Sequence, residues 1–116
     1  MIDQLNNLMD WIATDFAQWR ARGEHGGEGD YDQMLDSLQV EEGRKYYKIT
    51  HNLHGQTMVW GFVVKKDEPL KCGKSNFKAG DILKAASWSA PARNKPRGNI
   101  LQGDFSWVRW TGPEYL

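Results

Sequence analysis

The sequence lacks most of the features that identify a function at a glance. It contains one cysteine, Cys72, so no disulfide forms within the chain, which suits a reducing compartment. Cys72 sits in KCGK, where basic neighbours lower a thiol's pKa, but no base is close in sequence, and it reads as a loop thiol. No apolar run approaches the roughly 20 residues of a membrane span. The N-terminal MIDQLNNLMDW has neither the basic start nor the apolar core of a secretory signal, so a soluble intracellular protein is expected. Also missing are a P-loop, a dinucleotide-binding glycine pattern after a strand, an H-E-x-x-H pair, paired cysteine clusters and a nucleophile elbow. The expectation is a protein without enzymatic activity, cofactor or metal.

What is present is a chain of 116 residues, 40 % hydrophobic and 26 % charged, the balance of a folded domain. Six tryptophans exceed what one small core of this length needs, since each buries roughly 150–250 Å². One or two are therefore expected at a contact surface. The net charge of zero conceals an asymmetry. Residues 1–40 carry eight acidic and two basic side chains, and residues 41–116 carry seven acidic and thirteen basic ones, so a net −6 is followed by a net +6. Either the basic part faces a polyanion, or the acidic arm packs on it, within the chain or in a partner. The division gives two units: an acidic helical arm, 1–40, and a basic β domain, 41–116.

Apolar residues Ile2, Leu5, Leu8, Met9, Ile12, Phe16 and Trp19 recur at helical spacing, which predicts an amphipathic helix over 2–22. Trp11 falls off that stripe. The helix caps the core or engages a partner, and Trp11 either widens its apolar face or makes the contact. GEHGGEGD, residues 23–30, is a helix stop and joint. Its His25 and carboxylates are not read as a metal site, because glycines cannot hold ligands in fixed geometry. Asp30 and Gln33 have the spacing of a capping box for a second helix over 31–39. From Arg44 the period becomes strand-like. RKYYKITH and TMVWGFVVK predict a hairpin, with Gly61 marking a bulge or a close backbone approach. His51 and His54 flank its turn and are read as solvent-facing. Short strands over 82–85 and 99–102 and a last one over 105–111 complete an α+β fold. It has two N-terminal helices followed by a strongly bent five-stranded antiparallel sheet or small β-barrel.

Residues 77–101, FKAGDILKAASWSAPARNKPRGNIL, stand apart. Gly80-Asp81 makes a turn in which the Asp bonds backbone N–H groups. The next residues are a core strand ending in a buried Trp88, and 90–99 form an exposed loop. The positions Gly80, Asp81, Lys84, Ala86, Ser87, Trp88, Ala90, Pro91, Ala92, Arg97 and Asn99 resemble a G-D-hydrophobic-x-K-x-A-S/G-W-x-A-P-A core found in small uncharacterised proteins of tailed bacteriophages. GRKYYKI, VWGFV and the ending WTGPEYL are similar as well, so the resemblance covers about residues 43–116. It implies a phage origin and expression in the host cytoplasm, and it supplies no activity.

The candidate binding residues follow from composition. Lys84, Arg93, Lys95, Arg97 and Arg109 stand among Trp88, Trp107 and Trp110. Cations draw phosphates and flat rings stack on unpaired bases. Trp and Arg are equally the favoured anchors of protein interfaces, and Trp11 and Trp110 are the expected anchors there. The function expected first is that of a non-enzymatic phage accessory protein that binds and modulates a host protein. The alternative is single-stranded nucleic-acid binding through the basic-aromatic surface. A homodimer through the N-terminal helix is a further option.

Overall fold

The computed structural model describes residues 1–23, 29–53, 55–68 and 77–114. Cys72, His54 and the histidine and glutamates of the glycine joint lie outside them. Helix α1, Ile2–Ala21, buries Leu5, Leu8, Met9, Ile12, Ala13 and Phe16, the stripe that the spacing predicts apart from its two ends. Ile2 and Trp19 are exposed. The second helix, α2, runs Asp30–Ser37 and differs from the capping-box expectation. Gly29 is its N-cap, at φ 91°, and no side chain caps it. Asp30 lies inside the first turn and meets Arg20 Nε at 3.5 Å, tying the two helices together.

The chain leaves α2 directly into strand β1, Leu38–Glu42, where helix and then turn were expected. β1 pairs antiparallel with β2, Tyr46–Leu53, which pairs with β3, Gln56–Val64, which pairs with the two-residue β4, Ile82–Leu83. The predicted hairpin is therefore the centre of a four-stranded sheet. Ile49 pairs with Gly61 and Thr50 with Val59, so β3 carries the bulge, with Trp60 as its extra residue next to Gly61. A Cβ on Gly61 would lie 2.9 Å from Leu83 O and 3.2 Å from Pro113 Cγ. Both parts of the Gly61 expectation hold, and the close approach lets the C-terminal hairpin dock. That hairpin is β5, Val108–Arg109, with β6, Gly112–Pro113, joined through Trp110 and Thr111. Trp60 Nε1 donates to Arg109 O at 2.9 Å.

Among the described residues the sheet has four antiparallel strands, and β5–β6 form a separate two-stranded ribbon. The expected α+β antiparallel fold is therefore present, the fifth strand is not in the sheet, and the strands do not close into a barrel. The reason lies in residues 84–99. Two prolines remove ladder donors, and the backbone bonds itself in turns and isolated bridges, Ala85 with Pro91 and Asp81 with Asn99. Residues 100–102 form a 3-10 turn, η1, Ile100–Gln102, instead of a strand. Asn99 caps it, its Oδ1 accepting from Leu101 N and Gln102 N. The Asn99 Nδ2 donates to Ala79 O and Asp81 Oδ1, while Asp81 Oδ2 accepts from Lys78 N. The Gly-Asp turn is thus held by the backbone bonding expected of Asp81.

One hydrophobic cluster joins the α1 stripe and Met34 of α2 to Ile49, Trp60, Val63, Ile82, Ile100 and Val108. Arm and β segment share that core. Side chains of alternate parity, Phe62, Val64 and Leu83, form a smaller cluster with Phe77. His51 is buried, contrary to expectation, because it shares parity with Ile49 and faces the helices. Among the tryptophans the core residue is Trp60. Trp88, expected to be buried, is 54 % exposed. Ala86 N and Ser87 N both donate to Ala90 O, which makes a tight loop with Trp88 near its tip, and the Lys48 ammonium lies 3.8 Å from the ring centroid.

Candidate functional site

The sequence candidates separate into three places. The first is an aromatic ridge along α1. Segment 105–110 runs beside the helix, so Phe105 lies 5.3 Å from Trp11 and Trp110 lies 5.0 Å from Trp19. Phe16 packs edge-on against Trp110 at 5.1 Å. The register is fixed by Asp15 Oδ2, which accepts the Trp110 backbone N–H at 2.9 Å. Trp11 and Trp19 stay 45 % and 53 % exposed. They stand about 12 Å apart along the axis at 1.5 Å per residue. Asn7, Thr14 and Gln18, exposed and uncharged, flank Trp11 on one side. Half-buried Asp15, four residues from each indole, lies between Trp11 and Trp19 with its carboxylate on the Trp110 amide. The acidic residues Asp3 and Asp10 lie to one side, where Asp10 accepts the Tyr31 hydroxyl from α2.

The second place is an open cleft of about 620 Å³ beside the C-terminal hairpin, lined by Lys84, Arg109, Thr111, Gly112, Pro113 and Glu114. Two of the five basic candidates, Lys84 and Arg109, line it, and Arg97 bonds the backbone of a lining residue, Glu114. Lys84 Nζ donates to Pro113 O at 2.8 Å, and Arg109 Nη2 meets Glu114 Oε1 at 3.0 Å. Arg97 lies beneath, 2 % exposed. Its Nε donates to Glu114 O, and its Nη1 donates to Lys95 O and Asn94 Oδ1. All three acceptors are neutral oxygens. Lys95 holds its ammonium 5.0 Å from the centroid of the Trp107 ring, and Trp107 O accepts from Glu114 N. Burial, and then the charge of Arg97, push the Lys84 ammonium's pKa below its usual range. Burial lowers that of Arg97 as well.

Arg93 stands apart from these four, at the edge of the smaller cluster. Its Nη2 donates to both oxygens of Glu68, at 2.7 and 3.0 Å. Its Nη1 donates to the Tyr46 hydroxyl, and the guanidinium lies 4.8 Å from the Phe77 ring centroid. The bond from Arg93 is the main reason the Glu68 carboxyl is held below its usual pKa. A forked guanidinium so engaged is a clamp on the fold rather than a free arm.

The loop 90–99 therefore does not act as one unit. Arg97 is interior, Arg93 is bound to Glu68, and Lys95 rests over Trp107. The sequence reading missed the exposure of Trp19, the core role of Trp60, and the part of Thr111 and Glu114 in the cleft. The only signal for Trp19 was its place in the last helical turn before the glycine joint. Neither the comparison with curated proteins nor that with solved structures gave a match. Residues 2–113 match the model of a family of unknown function, DUF7717, and the chain belongs to that family.

Proposed function

We propose that the chain is a non-enzymatic binding module of phage origin that works in the host cytoplasm, and that it docks a host protein on the aromatic ridge of α1. The observation that carries this reading is the pair of exposed indoles, Trp11 and Trp19, on a helix face where the exposed neighbours Thr14 and Gln18 are uncharged and the one carboxylate between the rings, Asp15, is taken up by the Trp110 backbone N–H. Interface cores are depleted of charge and enriched in Trp. Phe105 and Trp110 fix both rings from behind, so little side-chain freedom is lost on docking. The helix itself is anchored in the core through its opposite face.

The test is capture from host extract, with and without nuclease treatment, by the tagged protein and by a Trp11→Ala, Trp19→Ala double variant. Circular dichroism confirms that the variant keeps its fold. A host protein retained stoichiometrically by the parent and lost by the variant is the expected result. Identical retention by both proteins rejects the ridge as the docking surface. Bound material that disappears with nuclease transfers the function to nucleic-acid binding. A concentration-dependent dimer that the double variant cannot form makes a second copy the occupant.

A further inference from the structure

The cleft beside β5–β6 is separate from the ridge, and its chemistry differs. Lys84, the residue after β4, and Arg109 of β5 line it from different segments, with Thr111 on the turn between β5 and β6. Arg97 adds positive charge from below, and its hydrogen bonds go to neutral oxygens. Among the described residues the carboxylate in the lining is that of Glu114, which lies on Arg109. We infer that this cleft binds a phosphoryl group, held between the Lys84 ammonium and the Arg109 guanidinium, and that Glu114 competes with it from within the chain.

Two features point to phosphate chemistry. A guanidinium fork matches the oxygens of a phosphate in a bidentate manner, and an ammonium serves as the accompanying point charge. The volume of about 620 Å³ leaves room for the body that carries the phosphate. The Lys95–Trp107 pair lies alongside, since Trp107 is bonded through its carbonyl to Glu114.

The probes are sodium phosphate, a nucleoside monophosphate and a short single-stranded oligonucleotide. Each is titrated calorimetrically against sodium chloride of equal ionic strength. Two variants keep every backbone bond of the site. Arg109→Gln removes a charge-assisted contact and weakens binding by about tenfold or more. Glu114→Gln removes the internal competitor and tightens binding. A long-range charge effect alone gives the same two signs. The control is therefore Lys66→Gln, an exposed cation outside the cleft lining, which leaves binding unchanged if the cleft is the site and weakens it as Arg109→Gln does if it is not. All variants are checked for an unchanged circular dichroism spectrum. Binding of inorganic phosphate or the monophosphate with this pattern assigns a small phosphorylated ligand. Binding of the oligonucleotide alone, with the same pattern and a decline as salt rises, assigns the phosphate to a nucleic-acid backbone. The inference is overturned if all three probes behave like chloride, or if Glu114→Gln and Arg109→Gln shift affinity in the same direction. None of these outcomes depends on the ridge.

Discussion

Asn99 makes four hydrogen bonds with one amide, two donated and two accepted, and it is buried. It joins the Gly-Asp turn to the 3-10 turn that carries Ile100 into the core. Replacing it with Ala strands two N–H groups and a carbonyl, and leaves Asp81 Oδ1 unmatched. Stranded buried groups cost about 1–3 kcal/mol each before relaxation. The expected loss for Asn99→Ala is therefore about 2–4 kcal/mol, read from the midpoint of urea denaturation at constant slope. A change below roughly 0.5 kcal/mol, the size of an ordinary surface effect, would contradict the role. His51 supplies a pH test at the same scale. Burial lowers its pKa in the fold from the ordinary 6.5, so the unfolded chain binds the proton more readily. Stability is then full above about pH 6.5 and falls as pH drops toward the depressed folded value. Denaturation from pH 7.5 to 5 should show that decline, and His51→Phe should flatten it. Turn chemistry marked Asp81 as a backbone-bonding residue, whereas Asn99 was read as the start of a strand over 99–102 and is instead the cap of a 3-10 turn. The burial of His51 was hidden because both ends of a turn look alike until strand parity is known.

The element that decides the shape is the bulge of β3. Gly61 lets the Leu83 carbonyl and Pro113 approach to distances that a Cβ would violate, and Trp60 beside it bonds the Arg109 carbonyl. The C-terminal hairpin therefore sits against β3 without extending the sheet. Gly61→Ala places a methyl against backbone oxygen, which cannot swing away as a side-chain tip does. The expected cost is about 1–3 kcal/mol, with the hairpin loosened first, so hydrogen exchange at the amides of Val108, Arg109 and Glu114 should rise more than at β2. Uniform exchange across the sheet would reject this coupling. At this scale the two long helix and strand signals were legible. The periodicity of α1 and the β-branched run of β3 each span enough residues to declare themselves. β1, with five residues and four of them exposed, has no alternation to read, and its pairing with β2 creates it. The strand expected over 105–111 is shortened to Val108–Arg109 for a related reason. Val108 N bonds Phe105 O, and that turn sends both Phe105 and Trp110 to α1.

For the molecule as a whole, the acidic arm and the basic segment are united by apolar packing rather than by charge. Each of the ion pairs described joins residues of the same segment, Arg20 with Asp30 in the arm and the others beyond residue 40. Leu5, Leu8, Met9, Ile12 and Phe16 bury their side chains in the common core. At about 1.5–3 kcal/mol apiece, they supply roughly 7–15 kcal/mol, comparable with the whole stability of a domain this size. A chain beginning at residue 24 is therefore expected to lose cooperative unfolding and its near-ultraviolet dichroism. Retention of a sharp thermal transition would show that the segment from 41 onward folds alone.

The sequence by itself determined what depends on neighbours along the chain. It specified the buried stripe of α1, the β2–β3 hairpin, the bulge at Gly61, the backbone-bonding Asp81 and the opposed charges of the two segments. Helical and strand periods, turn chemistry and glycine's missing Cβ act over a few residues, and they leave a readable pattern. The tertiary structure alone decided which tryptophans face outward and what the basic residues meet. Arg97 went inside to carbonyl oxygens, Arg93 went to Glu68, Lys95 came to lie over Trp107, Lys84 met the Pro113 carbonyl and Arg109 met Glu114. Those partners lie between 2 and 29 residues away. The side-chain length and charge that bring a cation to a carbonyl are the same that bring it to a phosphate, so only its position in the packed chain distinguishes them.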